Sequence, residues 1–228
     1  MDRRKRRCYS VIAYVYVDAW NLFYGALSKT PFKWLDVQAL AEQMLPEYDV
    51  RCIRYYSAIL EARPGQEYKV DRQKTYLSAL RTLPKVAIQY GRFRTHTTRL
   101  PLAEPEPGGP TTAEVLKTEE KLTDVNLAVH MVHDAHLGRF DAAVLVSNDS
   151  DLSEPLSIVR HELELEVGVL CPHLHAADEL ERHARFVRPI RHKHLAAAQF
   201  PDVVHVADAA PASSSPASSP QIRKPDGW

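Results

Sequence analysis

Five short apolar segments constrain the fold of this chain more than any other feature. They are rich in β-branched residues and cover residues 11–17, 51–60, 86–90, 142–147 and 166–171. Runs of this kind are typical of strands buried on both faces of a parallel sheet. Helical patterns separate them, over residues 36–44, 71–83, 119–137 and 154–163. The alternation predicts an α/β fold in which helices cover both faces of one parallel sheet.

The 228 residues suit one such domain with a tail at each end. Residues 1–10 are basic and are expected to form a solvated tail, and residues 11–206 form the predicted domain. Residues 207–228 are rich in Ala, Ser and Pro and are predicted to be disordered. A short sixth strand is expected at residues 186–190. Residues 100–112 carry four prolines and a Gly-Gly pair, which predicts a long loop before the helix at 119–137.

Composition excludes several classes of protein. The 29 basic residues balance the 29 acidic ones, so the net charge gives no sign of a nucleic-acid partner. The three cysteines are far apart and form no C-x-x-C motif, which argues against disulfides and cysteine zinc sites. No apolar run approaches the roughly 20 residues that cross a bilayer. We therefore expect a cytoplasmic protein with no membrane association, and homo-oligomerisation stays open.

Acidic residues follow two of the predicted strands and open one predicted helix. Asp18 ends the first strand, and Asn21 comes three residues later. Asp149 and Asp151 follow the fourth strand directly. Asp124 lies in the early turns of the helix predicted at 119–137, on a face that is otherwise apolar. Each acid has a structural alternative, because aspartates commonly cap helices and stabilise their first turns.

The predicted topology brings these acids together. Ligands of open parallel sheets bind at the carboxyl ends of strands, where the strand order reverses. If the fourth strand lies beside the first, Asp18 and Asp149 face each other across that crevice, and Asp124 approaches the same edge. We expect the three carboxylates within about 10 Å of one another, a span that a hydrated divalent ion can bridge. Mg²⁺ or Mn²⁺ is the predicted cofactor, because both prefer oxygen ligands.

Three ordered motifs resemble those of the NYN domain family of PIN-like nucleases. They are V-D-A-W-N-L at residues 17–22, E-K-L-T-D-V-N-L-A at 120–128 and L-V-S-N-D-S-D-L at 145–152, with Asn148 where glycine is usual. The resemblance covers roughly residues 11–190. It implies a three-layer PIN-like sandwich with strand order 3-2-1-4-5 and an acidic Mg²⁺ or Mn²⁺ site that hydrolyses RNA. It also implies catalytic roles for these residues: Asp18, Asp124 and Asp149 as metal ligands, Asp151 as a fourth acid and Asn21 as a polar helper.

The predicted function is metal-assisted hydrolysis of phosphodiester bonds, with single-stranded RNA as the partner. Ser147 is expected to hydrogen-bond the ligands or the phosphate, and Trp20 either stacks an unpaired base or packs against a loop. Phosphate contacts are expected from Lys121, Arg92 and Arg94. A further basic cluster follows the second strand and comprises Arg63, Lys69, Arg72 and Lys74.

Three alternatives were weighed against a ribonuclease. A phosphatase of the haloacid dehalogenase type needs a second aspartate two residues after the first, and position 20 is Trp20. A histidine zinc site at His130, His133 and His136 is disfavoured, because three residues at that spacing spread around a helix. A non-catalytic RNA-binding or assembly module on the same fold remains the alternative function.

Overall fold

The main sheet of the computed structural model has six strands in the order β3-β2-β1-β6-β7-β8. Each neighbouring pair is parallel. The structure describes residues 10–62, 64–206 and 220–228. The strands of this sheet are β1 (Val11–Asp18), β2 (Tyr48–Ser57), β3 (Val86–Tyr90), β6 (Ala142–Val146), β7 (Glu166–Cys171) and β8 (Phe186–Pro189).

The first five predicted strands are β1, β2, β3, β6 and β7, and they lie in the predicted spatial order. The short sixth strand is confirmed as β8, which extends one edge of the sheet. Two further strands, β4 (Arg92–Pro101) and β5 (Thr112–Lys121), intervene along the chain outside this sheet. The numbering across the sheet therefore differs from 3-2-1-4-5 although the arrangement of the five strands is the same.

Helices cover both faces of the sheet and enclose two separate cores. Val15 and Val17 of β1 point into one core, and Tyr16 between them points into the other. This follows from the alternation of side chains along a strand. The helical segments are α1 (Ala19–Leu22), a π-helical turn (Phe23–Leu27), α2 (Val37–Met44), α3 (Glu67–Leu80), α4 (Thr123–His136), a 3₁₀ turn (Ser150–Leu152), α5 (Ser153–Ser157), a second π-helical turn (Ile158–Glu162), α6 (Asp178–Glu181) and α7 (His192–Ala197).

The first core takes buried residues from α2, α3 and α7, and the second takes them from α4 and α5. The three-layer α/β sandwich is therefore confirmed. Among the described residues, none of the helices combines the length and the apolar character required to cross a bilayer.

The loop predicted at residues 100–112 is confirmed over residues 102–111, where it joins two strands of a β-hairpin that were not predicted. β4 (Arg92–Pro101) and β5 (Thr112–Lys121) pair antiparallel, from Arg92 opposite Lys121 to Pro101 opposite Thr112. Neither strand has a buried residue, so no apolar run marks either of them in the sequence. Gly91 permits the turn into β4, because a side chain there would meet the carbonyl oxygen of Lys121 at 2.6 Å.

The helix predicted from residue 119 begins at Thr123 instead. Glu119, Glu120 and Lys121 belong to β5, so the prediction that they open the helix is wrong. Leu122 separates the strand from the helix and has a left-handed backbone, with φ of 80°. A left-handed backbone is uncommon for a residue other than glycine and costs conformational energy. The pairing of β5 with β4 holds the chain extended up to this point.

The C-terminal tail predicted at residues 207–228 is partly ordered. Residues 207–219, like 1–9, lie outside the described residues. β10 (Gln221–Arg223) pairs antiparallel with β9 (Val203–His205). The Trp228 ring lies 6.3 Å from that of Trp34 and 5.6 Å from that of Tyr76. Through these contacts the tail buries apolar area against residues that are distant in the sequence. Composition alone does not reveal such contacts.

Candidate metal centre

The centre starts at the end of β1, where Asp18 is only 7% exposed. Its Oδ1 accepts hydrogen bonds from the backbone N–H groups of Trp20 (3.1 Å) and Asn21 (3.0 Å). The side chain thus caps α1, as the sequence allowed. Its Oδ2 accepts a hydrogen bond from the Ser147 hydroxyl at 3.0 Å. Asp18 therefore caps a helix and also converges with the other acids.

The end of β6 supplies the second acid. The Ser147 Oγ accepts a hydrogen bond from the backbone N–H of Asp149 at 3.1 Å, so this serine links Asp149 to Asp18. The Asp149 carboxylate accepts from the backbone N–H of Asp151 at 3.1 Å and caps the 3₁₀ turn. Asp151 is exposed. The strand-end serine thus links the Asp18 carboxylate to the backbone of Asp149.

Two asparagines, Asn21 and Asn148, link the loops that follow β1 and β6. The Asn21 side-chain oxygen accepts a hydrogen bond from the Asn148 backbone N–H at 2.9 Å. The Asn148 side chain in turn accepts from the Ala177 backbone N–H at 2.8 Å and donates to the His175 carbonyl at 3.3 Å. Asn148 does not have a positive φ, so a glycine-like backbone is not what this position requires. Both asparagine side chains thus hold loop backbone in place behind the acids.

Asp124 completes the group from the first turn of α4. One carboxylate oxygen from each of Asp18, Asp124 and Asp149 lies within 4.8 Å of the other two. The predicted convergence is therefore present. Ligand oxygens around one octahedral Mg²⁺ ion, at 2.0–2.1 Å from it, lie about 3–4 Å apart. Three carboxylates at this spacing fit a single hydrated divalent ion with small side-chain movements.

The electrostatics of the group favour a cation. Burial raises the pKa of Asp18, and the charge of Asp149 adds to the effect. Desolvation and the charges of Asp18, Asp149 and Asp151 raise the pKa of Asp124 to about 6. Like charges this close repel one another, and a divalent ion relieves the repulsion. The all-oxygen donor set matches Mg²⁺ and Mn²⁺.

A further acid, Glu120, lies beside the group of three aspartates, although no role was predicted for it. Desolvation raises its pKa to about 6, and the charges of Asp18 and Asp124 contribute to the rise. Its carboxylate accepts a hydrogen bond from the Thr123 hydroxyl. Glu120 is the first residue of the E-K-x-x-D motif, so the signal was in the sequence. The wrongly predicted helix start concealed its position on β5.

The predicted cationic residues lie elsewhere on the hairpin. Side chains alternate along a strand, so Arg92 and Arg94 face one side of it and Phe93 faces the other. Lys121 lies opposite Arg92 and so shares its side, where it forms an ion pair of 3.0 Å with Glu119. Phe93 lies opposite Glu120. The three cations are thus on the far side of the hairpin from Phe93.

Trp20 packs among other aromatic rings, as the structural alternative anticipated. Its ring stacks on that of Tyr24, with centroids 5.9 Å apart and 23° between the planes. Phe93 and Phe23 meet it edge-on, at 5.7 Å and 6.5 Å. These rings line a cavity of about 700 Å³ that also borders Glu120. Packing and a binding role are therefore compatible for this residue.

Lower pH is expected to stabilise the metal-free protein. Protonation of Asp124 favours the folded state, because its folded pKa of about 6 lies above its ordinary value of 3.8. That stabilisation is full below about pH 4 and is lost as the pH rises through 6. Thermal unfolding in EDTA should show a weaker pH dependence for Asp124→Asn than for the wild type. Identical pH dependence of the two melting temperatures would contradict the raised pKa.

Comparison with known proteins agrees with the fold and with the motifs. The NYN domain model matches residues 12–191. The curated 6-hydroxy-3-succinoylpyridine 3-monooxygenase HspA of Pseudomonas putida is 30% identical over 243 aligned positions, which cover 94% of this chain and 74% of that protein. A crystal structure of a protein of unknown function from Vibrio parahaemolyticus has the same fold, with a TM-score of 0.51 and 16% identity over 82% of this chain and 98% of that one. This chain belongs to the NYN domain family, within the PIN-like superfamily.

Proposed function

We propose that this protein is a metal-dependent ribonuclease. The observation that carries the proposal is the convergence of Asp18, Asp124 and Asp149 within 4.8 Å at the carboxyl ends of β1 and β6. Membership of a family that is generally nuclease-like supports it. An ion held by these acids would polarise a phosphoryl oxygen and lower the pKa of a bound water. Mg²⁺ and Mn²⁺ are the ions that the donor set suits.

The residues of the centre have distinct roles in this proposal. Asp18 and Asp149 are fixed by backbone and Ser147 hydrogen bonds, so they suit direct coordination. Asp124 stands on a helix rather than at a strand end, and we assign it the orientation of the attacking water. Asn21 keeps the two strand-end loops together. Such positioning residues contribute by holding the ligands in the productive geometry.

Purified protein is expected to cleave single-stranded RNA in the presence of Mn²⁺ or Mg²⁺, and EDTA should stop the reaction. Gel analysis of end-labelled RNAs of varied sequence measures it. Cleavage that persists in EDTA, or its absence on all RNAs with both metals, would count against a nuclease. RNA binding without cleavage would favour the non-catalytic RNA-binding module instead.

A second candidate function comes from the curated relative. Its name describes a monooxygenase acting on a substituted pyridine, and the aromatic cavity beside the acids here would accommodate such a ring. Monooxygenation places one atom of O₂ on a ring carbon as a hydroxyl group and reduces the other to water, with two electrons from a reductant such as NADH. Oxygen uptake with 6-hydroxy-3-succinoylpyridine and NADH tests this candidate. Substrate-dependent uptake without RNA cleavage would replace the ribonuclease proposal.

A further inference from the structure

The cavity of about 700 Å³ beside the acidic group is built from several separate parts of the chain. α1 and the π-helical turn that follows it form one wall, and α3 forms another. The hairpin contributes Phe93, Thr118 and Glu120, and the C-terminal segment contributes Trp228. The volume lies within the usual range for sites that take small ligands or single nucleotides.

Two of the tyrosines that line this cavity are largely exposed. Tyr24 is 68% exposed and Tyr68 is 51% exposed, so neither is needed to fill a core. Tyr24 extends the stack formed by the Trp20 ring. Exposed aromatic rings at the edge of a cavity are suited to stack on a planar ligand. The aromatic lining thus favours a ligand with a flat ring.

Three cations also line the cavity: Lys33, Lys69 and Arg72. The Arg72 guanidinium lies 5.1 Å above the Tyr68 ring and donates a hydrogen bond to the Asp226 carbonyl at 2.6 Å. The Lys69 ammonium donates to the Gln66 side chain at 2.8 Å. Neither cation forms an ion pair with an acid among the described residues. Their charges remain available to an anionic group on the ligand.

Two residues of the cavity wall, Trp20 and Glu120, lie next to the acidic group. Trp20 donates its backbone N–H to Asp18 at 3.1 Å. The Trp20 Nε1–H is buried and lies beside Glu120, but it forms no hydrogen bond of good geometry. Glu120 borders the cavity and is close enough to Asp18 and Asp124 for their charges to affect it. A ligand in the cavity can therefore extend from the aromatic rings to the metal centre.

We propose that this cavity binds one unstacked nucleobase of single-stranded RNA, next to the phosphodiester that is cleaved. In a nucleotide, one ribose separates the flat base from the phosphate. This arrangement matches a cavity with aromatic walls that lies next to a metal centre. Lys33, Lys69 and Arg72 would contact the neighbouring phosphates. The inference rests on the proposed ribonuclease function and adds to it a site that selects unpaired over paired RNA.

Equilibrium binding of AMP and UMP in Mg²⁺, followed by tryptophan fluorescence and calorimetry, tests the site. Both nucleotides should bind at least tenfold more tightly than ribose 5-phosphate, because stacking of one base contributes roughly 1–3 kcal/mol. Tyr68→Ala should weaken nucleotide binding about tenfold or more and raise KM for RNA. Tyr24→Ala provides a second, independent variant on the opposite wall.

Tyr90→Ala is the matched control. Tyr90 is 40% exposed, has Arg81 at 5.9 Å over its ring and does not line the cavity. Its substitution should leave binding unchanged. Equal binding of ribose 5-phosphate, equal effects of the Tyr68 and Tyr90 variants, or binding of pyridine-3-carboxylate in place of nucleotides would overturn the inference.

The inference and the ribonuclease proposal can fail separately. RNA cleavage with unchanged KM in both cavity variants would leave the ribonuclease in place and remove the base site. Tyr68-dependent nucleotide binding without cleavage of any RNA would keep the nucleotide site and remove the catalytic function. Unchanged melting temperatures of the two tyrosine variants would show that their effects do not come from unfolding.

Discussion

Asp149→Asn is expected to reduce RNA cleavage by at least about a hundredfold. Loss of an outer-shell partner of a metal ligand already costs up to about a hundredfold, and Asp149 is proposed as a ligand itself. The substitution keeps the size of the side chain and its cap on the Asp151 N–H, since asparagine is as good a helix cap as aspartate. It removes the charge that acts on Asp18 and Asp124. Without metal, the melting temperature should therefore hold or rise, because repulsion among the carboxylates is relieved.

Metal binding gives this prediction a second readout. Mn²⁺ at 100 times its dissociation constant should stabilise the wild type by about 2.7 kcal/mol, and the Asp149→Asn variant by much less. Asp18→Asn should behave in the same way. The double variant should be little worse than either single one, because residues that act as one catalytic unit are not additive.

Asp151→Asn is the control for these variants. Asp151 is exposed and lies outside the group of three acids, although its charge reaches Asp124. We expect a smaller loss of cleavage from it than from Asp149→Asn. Near-wild-type cleavage by Asp149→Asn would falsify its assignment as a ligand and leave it as a helix cap.

Asp134→Ala is expected to lower the free energy of unfolding by about 3–5 kcal/mol, the usual cost of breaking a buried ion pair from one side. Asp134 is 1% exposed. It accepts hydrogen bonds from the Arg54 guanidinium at 2.7 and 2.9 Å, from the Tyr16 hydroxyl at 2.9 Å and from Arg139 at 2.6 Å. Its removal leaves Arg54 and Tyr16 without their acceptor. Urea unfolding measures the loss.

The effect of Asp134→Ala should depend on pH. Hydrogen bonds from Arg54 and Tyr16 outweigh burial and lower the pKa of Asp134. A carboxyl with a lowered folded pKa contributes stability above its unfolded pKa, and this is lost as the pH falls through the folded value. The difference between wild type and variant should therefore shrink below about pH 4.

A surface pair gives the contrast to Asp134. The side chains of Arg51 and Asp49 are 57% and 37% exposed and form an ion pair of 2.8 Å. Asp49→Ala should cost no more than about 1 kcal/mol. Equal losses from the Asp49 and Asp134 variants would contradict the distinction between buried and exposed pairs. RNA cleavage per folded molecule should be unchanged in both, because neither residue belongs to the metal centre.

The positions of Asp18 and Asp149 could be predicted because local patterns determine them. An apolar run specifies a buried strand, and the first charged residue after it marks the end of that strand. Parallel strands place those ends at one edge of the sheet. Strand type and the placement of these two acids follow from short-range signals, whereas the strand order is what the resemblance to the NYN family implied. Asp124 was placed correctly because it lies in the first turn of α4 at the same edge of the sheet, although the start of that helix was mispredicted.

The hairpin, the position of Glu120 and the ordered C-terminal segment were decided by tertiary structure alone. β4 and β5 are polar and largely exposed, so their conformation depends on pairing with each other and not on a pattern of burial. Trp228 packs on Trp34, which lies 194 positions earlier in the sequence (228 minus 34). Contacts between distant segments leave no periodic signal in either one. The cavity beside the acids is made of such contacts, because its walls come from several separate parts of the chain.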